Sequence, residues 1–471
     1  MVGCRFVIEK VAMDFKGKRV TVVGLARSGI AACKVLAERG ARVLATDRSP
    51  RERLRGDLAT LEAREVRIEA GLHRPESFLE ADLIVVSPGV PTELDLLALA
   101  RSRGVPIWGE VELASRLTRA RFLGITGTNG KSTTTSLLGA MLEAAGFPTV
   151  VAGNIGTALC EVVTRLTAAH WVVAELSSFQ LETIVTFRPH VAVLLNLAPD
   201  HLDRYPNLPG YYAAKARIFL NQTAEDYAVL NADDPPTLEW ARGIRARPRL
   251  FSRTRTMGDG AFVRDDHLVV RSAGRPEAVC GLGEILIQGL HNLENSLAAA
   301  AAAAAIGAPV GAIGAALRQF PGLPHRLELV AEVDGVRYVN DSKGTNVGAV
   351  VKSLEGYRGG VILLAGGKDK GGDFRPLRPL LETRVKTLLL LGQARDTIRS
   401  HLAGACPMEE VASMQAAVAR ASEIAAAGDT VLLSPACASF DMFRDFEERG
   451  EVFRQAVRDL ASRREASGRA R

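Results

Sequence analysis

The chain has 471 residues, is 47% hydrophobic and 24% charged, and carries a formal net charge of +6. This length implies two to four domains with sizeable cores, and the composition is that of an ordinary globular protein. The small charge excess, with no basic block interleaved with aromatics, argues against nucleic-acid binding and leaves anionic small molecules as compatible partners.

The N-terminus, MVGCRFVIEKVAMDFKGKR, is interrupted by charges every few residues, so it reads as neither a signal peptide nor an anchor. A first α/β unit then runs through RVTVVG (19–24), ARVLATD (41–47) and LIVVSPG (83–89). These short Val/Ile/Leu-rich runs, separated by helical stretches, have the pattern of buried parallel strands with crossover helices. A second unit comprises RFLGIT, HWVVAELSS (170–178), HVAVLLNL (190–197) and YAVLNADD (227–234). The rhythm changes at the Arg-rich ARGIRARPRLFSRTRT, after which FVRDDHLVV predicts a hairpin turning at Asp265–Asp266. The eight alanines Ala298–Ala305 are too weakly apolar for a membrane span and are interrupted by Gly307 and Pro309, so they predict a tightly packed soluble helix. A third unit shows VRYVND (336–341), GVILLAGG (360–367), TLLLLG (387–392) and DTVLLSPA (429–436).

The fold class is therefore α/β in three domains, each with a mainly parallel sheet. The expected boundaries give 1–111, 112–322 and 323–471. The first and third are Rossmann-like and the second resembles a P-loop ATPase. Six scattered cysteines without a C-x-x-C pair favour reduced thiols in a cytoplasmic setting over a disulfide frame or a zinc site. Ligands of such sheets sit beyond the carboxyl ends of the strands, so chemistry is expected just after the apolar runs.

The stretch GITGTNGKSTTT (124–135) follows one such run. Gly127 and Gly130 permit a tight turn, and a helix follows with Leu137, Leu138, Met141, Leu142 and Ala145 on one face. Free N–H groups at a helix start suit phosphate oxygens. Lys131 has the reach for the β- and γ-phosphates and Ser132 the hydroxyl for Mg²⁺. The standard loop would need glycine at position 125, where Ile125 stands.

The phrase TGTNGKST, with its shortened loop, resembles the ATP-dependent Mur ligases of peptidoglycan precursor synthesis, relatives of the folylpolyglutamate synthetases. GNIG (153–156), AELSSFQLE (174–182), PDHLDRYP (199–206), NDSKGTN (340–346) and SPACASFDMFRDFEERG (434–450) resemble the branch of that family that adds D-glutamate to UDP-N-acetylmuramoyl-L-alanine. The resemblance covers about Gly24 to Gly450 and implies domains for the UDP-substrate, for ATP and for the amino acid, in that order.

What it implies for residues is specific. The loop residues Gly127, Thr128, Asn129, Gly130, Lys131, Ser132 and Thr133, with Asn292, Asn295, Arg326 and Asp341, would bind ATP. Ser132, Glu175, His201 and Lys215 would hold Mg²⁺, in two ions, with Lys215 carbamylated so that a neutral amine becomes an anionic oxygen ligand. On its own, Lys215 in YYAAKARIF reads as a helix-surface residue, and Glu175 as a capping or solvated acid. Asp200 is expected to orient His201 rather than bind metal, and Ala198 stands where the family often has threonine.

Arg27, Ser28, Asp47, Arg48, Ser87, Asn154 and Gln180 would bind the UDP-substrate. Thr345, Lys370, Ser439, Phe440 and Phe446 would bind D-glutamate. The implied catalytic set is Lys131, His201, Lys215 and Lys370. HNLEN also reads as the N-terminal cap of the Ala-rich helix. The partners are then two small-molecule substrates, with no membrane insertion and a monomeric chain.

Three rivals remain open at this level. A sister ligase would add another amino acid, although no D-N-P-R phrase is present. A regulator would bind nucleotide without turnover. An NAD-linked dehydrogenase would use G24-L-A-R-S-G29, in which Ala26 replaces the middle glycine of the dinucleotide signature.

Overall fold

The apolar runs expected to be strands are strands in the computed structural model, which describes residues 14–469 except 55–56, 202–203, 288 and 370. The first sheet contains β1 (Arg19–Val23), β2 (Arg42–Asp47), β3 (Arg67–Ala70), β4 (Leu83–Val86) and β5 (Ile107–Gly109). Their order is β3-β2-β1-β4-β5 and every pairing is parallel. The order reverses between β1 and β4, which opens a crevice beyond their carboxyl ends.

The second sheet contains β6 (Arg121–Thr126), β7 (Thr149–Gly153), β8 (Trp171–Glu175), β9 (Val191–Leu194), β10 (Tyr227–Asn231), β11 (Arg247–Ser252), β12 (Gly260–Arg264), β13 (His267–Ser272) and β14 (Arg275–Gly281). Its order is β14-β13-β12-β11-β10-β9-β6-β8-β7. The β12–β13 hairpin turns at Asp265 and Asp266, both with positive φ, as a two-residue turn requires. The Arg-rich stretch is more regular than its composition suggests, because β11 pairs parallel to β10 and buries Phe251 and Ser252.

The third sheet contains β15 (Glu328–Val333), β16 (Val336–Asn340), β17 (Val361–Gly366), β18 (Val385–Leu391), β19 (Met408–Glu410) and β20 (Thr430–Leu433), in the order β15-β16-β20-β17-β18-β19. Only β15 runs antiparallel to its neighbour.

Internal contacts divide the chain into two compact units. One runs to Glu284 and includes Asn295–Gln319; the other comprises Ile285–Glu294 and everything from Phe320. The first unit thus holds two sheets and the second holds one. The Ala-rich helix spans Leu290–Ala305, with Ala298 to Ala303 buried. It starts earlier than the sequence suggested: Gly289, at φ +101°, makes the break, and Leu293 N–H already donates to its carbonyl. HNLEN therefore forms the first turns of the helix and is not a cap ahead of it. Among the described residues no helix is long and apolar enough to cross a membrane. Cys33, Cys160, Cys280, Cys406 and Cys437 are free thiols.

Candidate active site

Ile125 lies inside β6, fully buried and in register with Glu175 of β8, so the strand continues where the standard loop would have its first glycine. The turn is made by Gly127 and Gly130, at φ +151° and +84°. A Cβ on Gly127 would stand 2.9 Å from that of Leu195, and one on Gly130 would run into Oδ1 of Asn295. The loop is clamped to the end of β9. Thr128 N–H donates to Asn196 O (3.0 Å), Asn129 N–H to Asn196 Oδ1 (2.8 Å), and Asn196 Nδ2 to Asn129 O (3.1 Å). Asn196 escaped the sequence reading, although its place at the end of HVAVLLNL was a usable signal. The Thr128 hydroxyl meets the main-chain N–H and O of Ala198, so the absent threonine side chain is not needed for this contact.

The helix Lys131–Ala144 begins at this turn, with Ser132 and Thr133 buried in its first turn. Lys131 Nζ donates to the carbonyls of Gly127 (2.9 Å) and Thr128 (2.8 Å). Lys215 Nζ donates to the same Gly127 carbonyl at 2.8 Å. Asn295 Oδ1 accepts from the hydroxyl of Thr134 at 3.3 Å.

Lys215 is not the surface residue its helix pattern suggested. Only 2% of it is exposed, because Tyr211 packs one turn earlier and the ammonium lies 4.7 Å from that ring. Burial pushes its pKa well below the ordinary lysine value, and the neighbouring Lys131 pushes it further down against the pull of Asp200 and Glu175. Glu175 is likewise neither a cap nor solvated, at 2% exposure, since β8 is buried along its whole length. Its Oε1 accepts from Nδ2 of Asn154 at 2.7 Å.

His201 has φ +54° and a side chain 41% exposed. Asp200 accepts from its backbone N–H (2.9 Å) and stands 3.8 Å from Nε2. Phe179 meets the imidazole edge-on at 5.0 Å and Tyr211 at 5.9 Å.

The crevice of the first sheet is a cavity of about 710 Å³ lined by Arg27, Ser28, Asp47, Arg48, Ser87 and Asn154. Asp47 accepts from the N–H of Leu25 and of Ser49, both at 2.8 Å, and Ser87 donates to Gly24 O at 2.7 Å. Arg27 reaches the carbonyls of Gly153, Asn154 and Gly156. Gln180 lies elsewhere, buried in a capping box with Ser177 at the start of the helix Ser178–Glu182. The cavity also contains His73, which the sequence did not single out. Its Nδ1 sits 2.8 Å from the Thr46 hydroxyl, and burial lowers its pKa.

In the second unit, Asp341 accepts through Oδ2 from Ser353 (2.8 Å) and Ser434 (2.7 Å). Burial raises its pKa to about 6 against these bonds and the charge of Arg326. Lys343, in NDSKGTN, places Nζ 3.6 Å from the centre of the Phe446 ring. Ser439 is buried, whereas Phe440 is 68% exposed. Arg449 is the largest fully buried side chain; it joins NDSKGTN to SPACASF through the Ser342 hydroxyl and carbonyl and the Cys437 carbonyl. Thr345 follows in the same turn as Lys343. Asn292 is buried on the Ala-rich helix. Lys370 lies outside the described residues.

Among the described residues no three His, Cys, Asp or Glu side chains gather as a self-sufficient metal cluster. The Ser132 hydroxyl and the Glu175 carboxylate nevertheless fit Mg²⁺, which takes one or two carboxylates and completes its shell from phosphate oxygens and water; the Lys215 amine would fit only as a carbamate. A helix start, two glycines that a Cβ would obstruct, and two lysines on one carbonyl form a cradle for a polyphosphate.

This cradle beside a Rossmann-like crevice defines a nucleotide-dependent α/β enzyme, and the chain belongs to the Mur ligase family. Residues 18–109 match the Mur ligase MurD-like N-terminal domain, 125–303 the Mur ligase middle domain, and 325–437 the Mur ligase glutamate ligase domain. The chain is 47% identical to the UDP-N-acetylmuramoylalanine--D-glutamate ligase of Geotalea uraniireducens, over 95% of this chain and 99% of that one. The enzyme of that name from Acidobacterium capsulatum is also 47% identical, over 94% and 97%. Among solved structures, a pseudomurein peptide ligase type C from Methanothermus fervidus shares the fold, with TM-score 0.61 and 18% identity over 94% and 100% of the two chains.

Proposed function

We propose that the chain is an ATP-dependent ligase that joins D-glutamate to UDP-N-acetylmuramoyl-L-alanine in peptidoglycan precursor synthesis. One observation carries the reading: Lys131 and Lys215 converge on the shortened glycine loop, Glu175 is close enough to act on the charge of Lys215, and Asn154 ties Glu175 to the wall of the UDP-sized cavity. Near full-length identity of 47% to ligases of that name supports the choice of amino acid.

A carboxylate resists amine attack because oxide would have to leave. Transfer of the γ-phosphoryl of ATP to the alanyl carboxylate gives an acyl phosphate and ADP. The D-glutamate amine then attacks the carbonyl, phosphate departs, and the amine loses a proton as the amide forms. Phosphoryl transfer depends on positioning and charge neutralisation. Lys131 and the N–H groups of the helix start neutralise and orient the phosphates. Mg²⁺, in two ions, would be held by Ser132, Glu175, His201 and Lys215, and when bound supplies further charge neutralisation. The depressed pKa of Lys215 supports its carbamylation, since only the neutral amine takes up CO₂.

Arg27, Ser28, Asp47, Arg48, Ser87 and Asn154 hold the UDP-substrate, and Gln180, outside the cavity lining, is proposed to contact its distal part. Asn292, Asn295, Arg326 and Asp341 hold adenosine, and Thr345, Lys370, Ser439, Phe440 and Phe446 hold D-glutamate. Lys343 joins the last group on the strength of its contact with Phe446. The working domains are 1–111, 112–322 and 323–471, and the chain acts as a cytoplasmic monomer.

The test is phosphate release from ATP with the purified chain, Mg²⁺ and each acceptor singly and together. Release and a new amide that require both UDP-N-acetylmuramoyl-L-alanine and D-glutamate support the reading. A product formed with L-alanine or L-lysine instead would assign a sister ligase, and ATP binding without turnover would assign a regulator.

A further inference from the structure

Glu182, at the end of the helix Ser178–Glu182, takes no part in the chemistry above, yet it gathers contacts from two loops that do. Its Oε1 accepts from the Tyr205 hydroxyl at 2.5 Å, and its Oε2 from Arg204 Nη2 at 3.2 Å and from the Thr92 hydroxyl at 3.4 Å. Arg204 also donates to the carbonyl of Val90, a residue of the UDP-sized cavity, at 3.4 Å. Its side chain and that of Glu182 are 19% and 15% exposed, so this ion pair is shielded from the solvent screening that weakens surface pairs.

The segment held in this way carries His201. Arg204 and Tyr205 N–H groups both donate to the His201 carbonyl at 3.0 Å, so anchoring these two residues restrains His201, whose φ is positive. The two ring systems are linked as well. Phe179, from the same short helix as Glu182, stacks on Tyr205 (5.8 Å) and meets His201 edge-on (5.0 Å), with the Arg204 guanidinium 5.4 Å from its centre. Tyr205 in turn packs on Tyr211 at 5.3 Å, one helical turn from Lys215.

A non-glycine residue at positive φ needs its surroundings to keep it there. We infer that Glu182 is a positioning residue: by clamping Arg204 and Tyr205 against Phe179 it fixes the His201 imidazole for metal binding and fastens that loop to the Val90 wall of the UDP cavity. The inference rests on the reading of His201 as a metal ligand.

The test uses the full-length enzyme carrying Glu182→Gln or Tyr205→Phe. Glu182→Gln keeps an acceptor for Tyr205 but loses the charge that holds Arg204; Tyr205→Phe keeps the ring stack but loses one hydrogen bond. Mn²⁺ affinity in the presence of ADP, read by electron paramagnetic resonance, is expected to fall about tenfold in Glu182→Gln and less in Tyr205→Phe. The Mg²⁺ needed for half-maximal turnover should rise in parallel while KM for ATP stays near the wild-type value, a split that general loosening of the fold would not give. Wild-type Mn²⁺ affinity in both variants overturns the clamp. If Glu182→Gln fails to fold, the Mn²⁺ affinity of Tyr205→Phe decides alone. His201→Ala separates the two readings: weakened Mn²⁺ binding there, with none in the clamp variants, refutes the clamp only. Unchanged binding in His201→Ala removes the metal role of His201 and the clamp with it.

Discussion

Asn154 donates through Nδ2 to Oε1 of Glu175 at 2.7 Å, so the GNIG loop that Arg27 also grips holds the carboxylate that ends β8. Gly153 makes this possible: at φ +110° it pairs with Glu175, and any Cβ there would collide with the Glu175 carbonyl. A carboxylate held by an amide keeps one rotamer, which matters for a hard cation that demands near-octahedral geometry. Asn154→Ala should therefore lower activity about 10- to 100-fold, the usual range for losing a ligand's orienting partner. Asn154→Asp should be worse, because two carboxylates would share that site. Steady-state rates across a Mg²⁺ series check this; an alanine variant with an unchanged Mg²⁺ optimum and rate would refute the coupling.

Lys215 offers a sharper chemical test. Its amine is buried near Lys131 and its pKa is pushed well below the ordinary lysine value, which favours the neutral form that the proposed carbamylation requires. Lys215→Ala should abolish turnover, and short carboxylic acids should restore part of it by placing an oxygen anion in the vacated space. Wild-type protein should carry the added mass of one CO₂ in native mass spectra. Full activity in the alanine variant would dismiss the role.

The division between legible and hidden features follows physical lines. β1, β6, β8, β9 and β17 are buried on both faces, so they appear as unbroken apolar runs, and the residues just after them could be placed at once. β3, β11 and β15 are partly exposed along their length, so their mixed composition hid them. Loop glycines and Lys131 were readable from spacing. Arg449 was not, since a buried polar residue that satisfies distant main-chain groups leaves no local pattern, whereas Asn196 was passed over although it directly follows an apolar run. Lys215 shows the limit most clearly: helical periodicity placed it on a surface that Tyr211 and the glycine loop cover.

Asp341 should make stability depend on pH in an unusual direction. Its pKa rises from 3.8 unfolded to about 6 folded, through burial. Its contribution is therefore fully present below about pH 4 and is lost as pH rises through about 6. A shift of this size corresponds to about 3 kcal/mol. Asp341→Asn, which keeps an oxygen for Ser353 and Ser434, should gain stability relative to wild type between pH 4 and 7. Urea melts of both proteins across that range measure the difference; parallel pH profiles would contradict the raised pKa.

Glu112 is a purely structural counterpart. Its buried carboxylate accepts from the N–H groups of Val185 and Phe187 (2.8 and 2.9 Å), the N–H and hydroxyl of Thr186, and Arg116 Nε. Those bonds outweigh burial and hold its pKa below the usual value. Glu112→Ala would strand three N–H donors, each worth about 1–3 kcal/mol when buried and unsatisfied, so a loss of several kcal/mol is expected. Because the pKa is depressed, this stabilisation is present above the unfolded value and disappears on acidification. Thermal melting at neutral pH, where the carboxylate is ionised, gives the magnitude; an unchanged midpoint would show that the clamp is dispensable.

Gly130 tests the glycine loop itself. Two effects oppose a side chain there: the left-handed backbone at φ +84°, and the Asn295 amide, into which a Cβ would project. Gly146, just past the same helix, has φ +79° but nothing within 4 Å of a Cβ, so it carries the backbone strain alone. Alanine at either position should cost stability of roughly 1–2 kcal/mol from the left-handed conformation. Only Gly130→Ala should also displace Asn295 and the helix start, lowering ADP affinity at least about tenfold, or 1.4 kcal/mol. Calorimetric titration of ADP into both variants separates strain from obstruction. Equal losses in the two would mean that the close approach of Asn295 to the turn has no bearing on nucleotide binding.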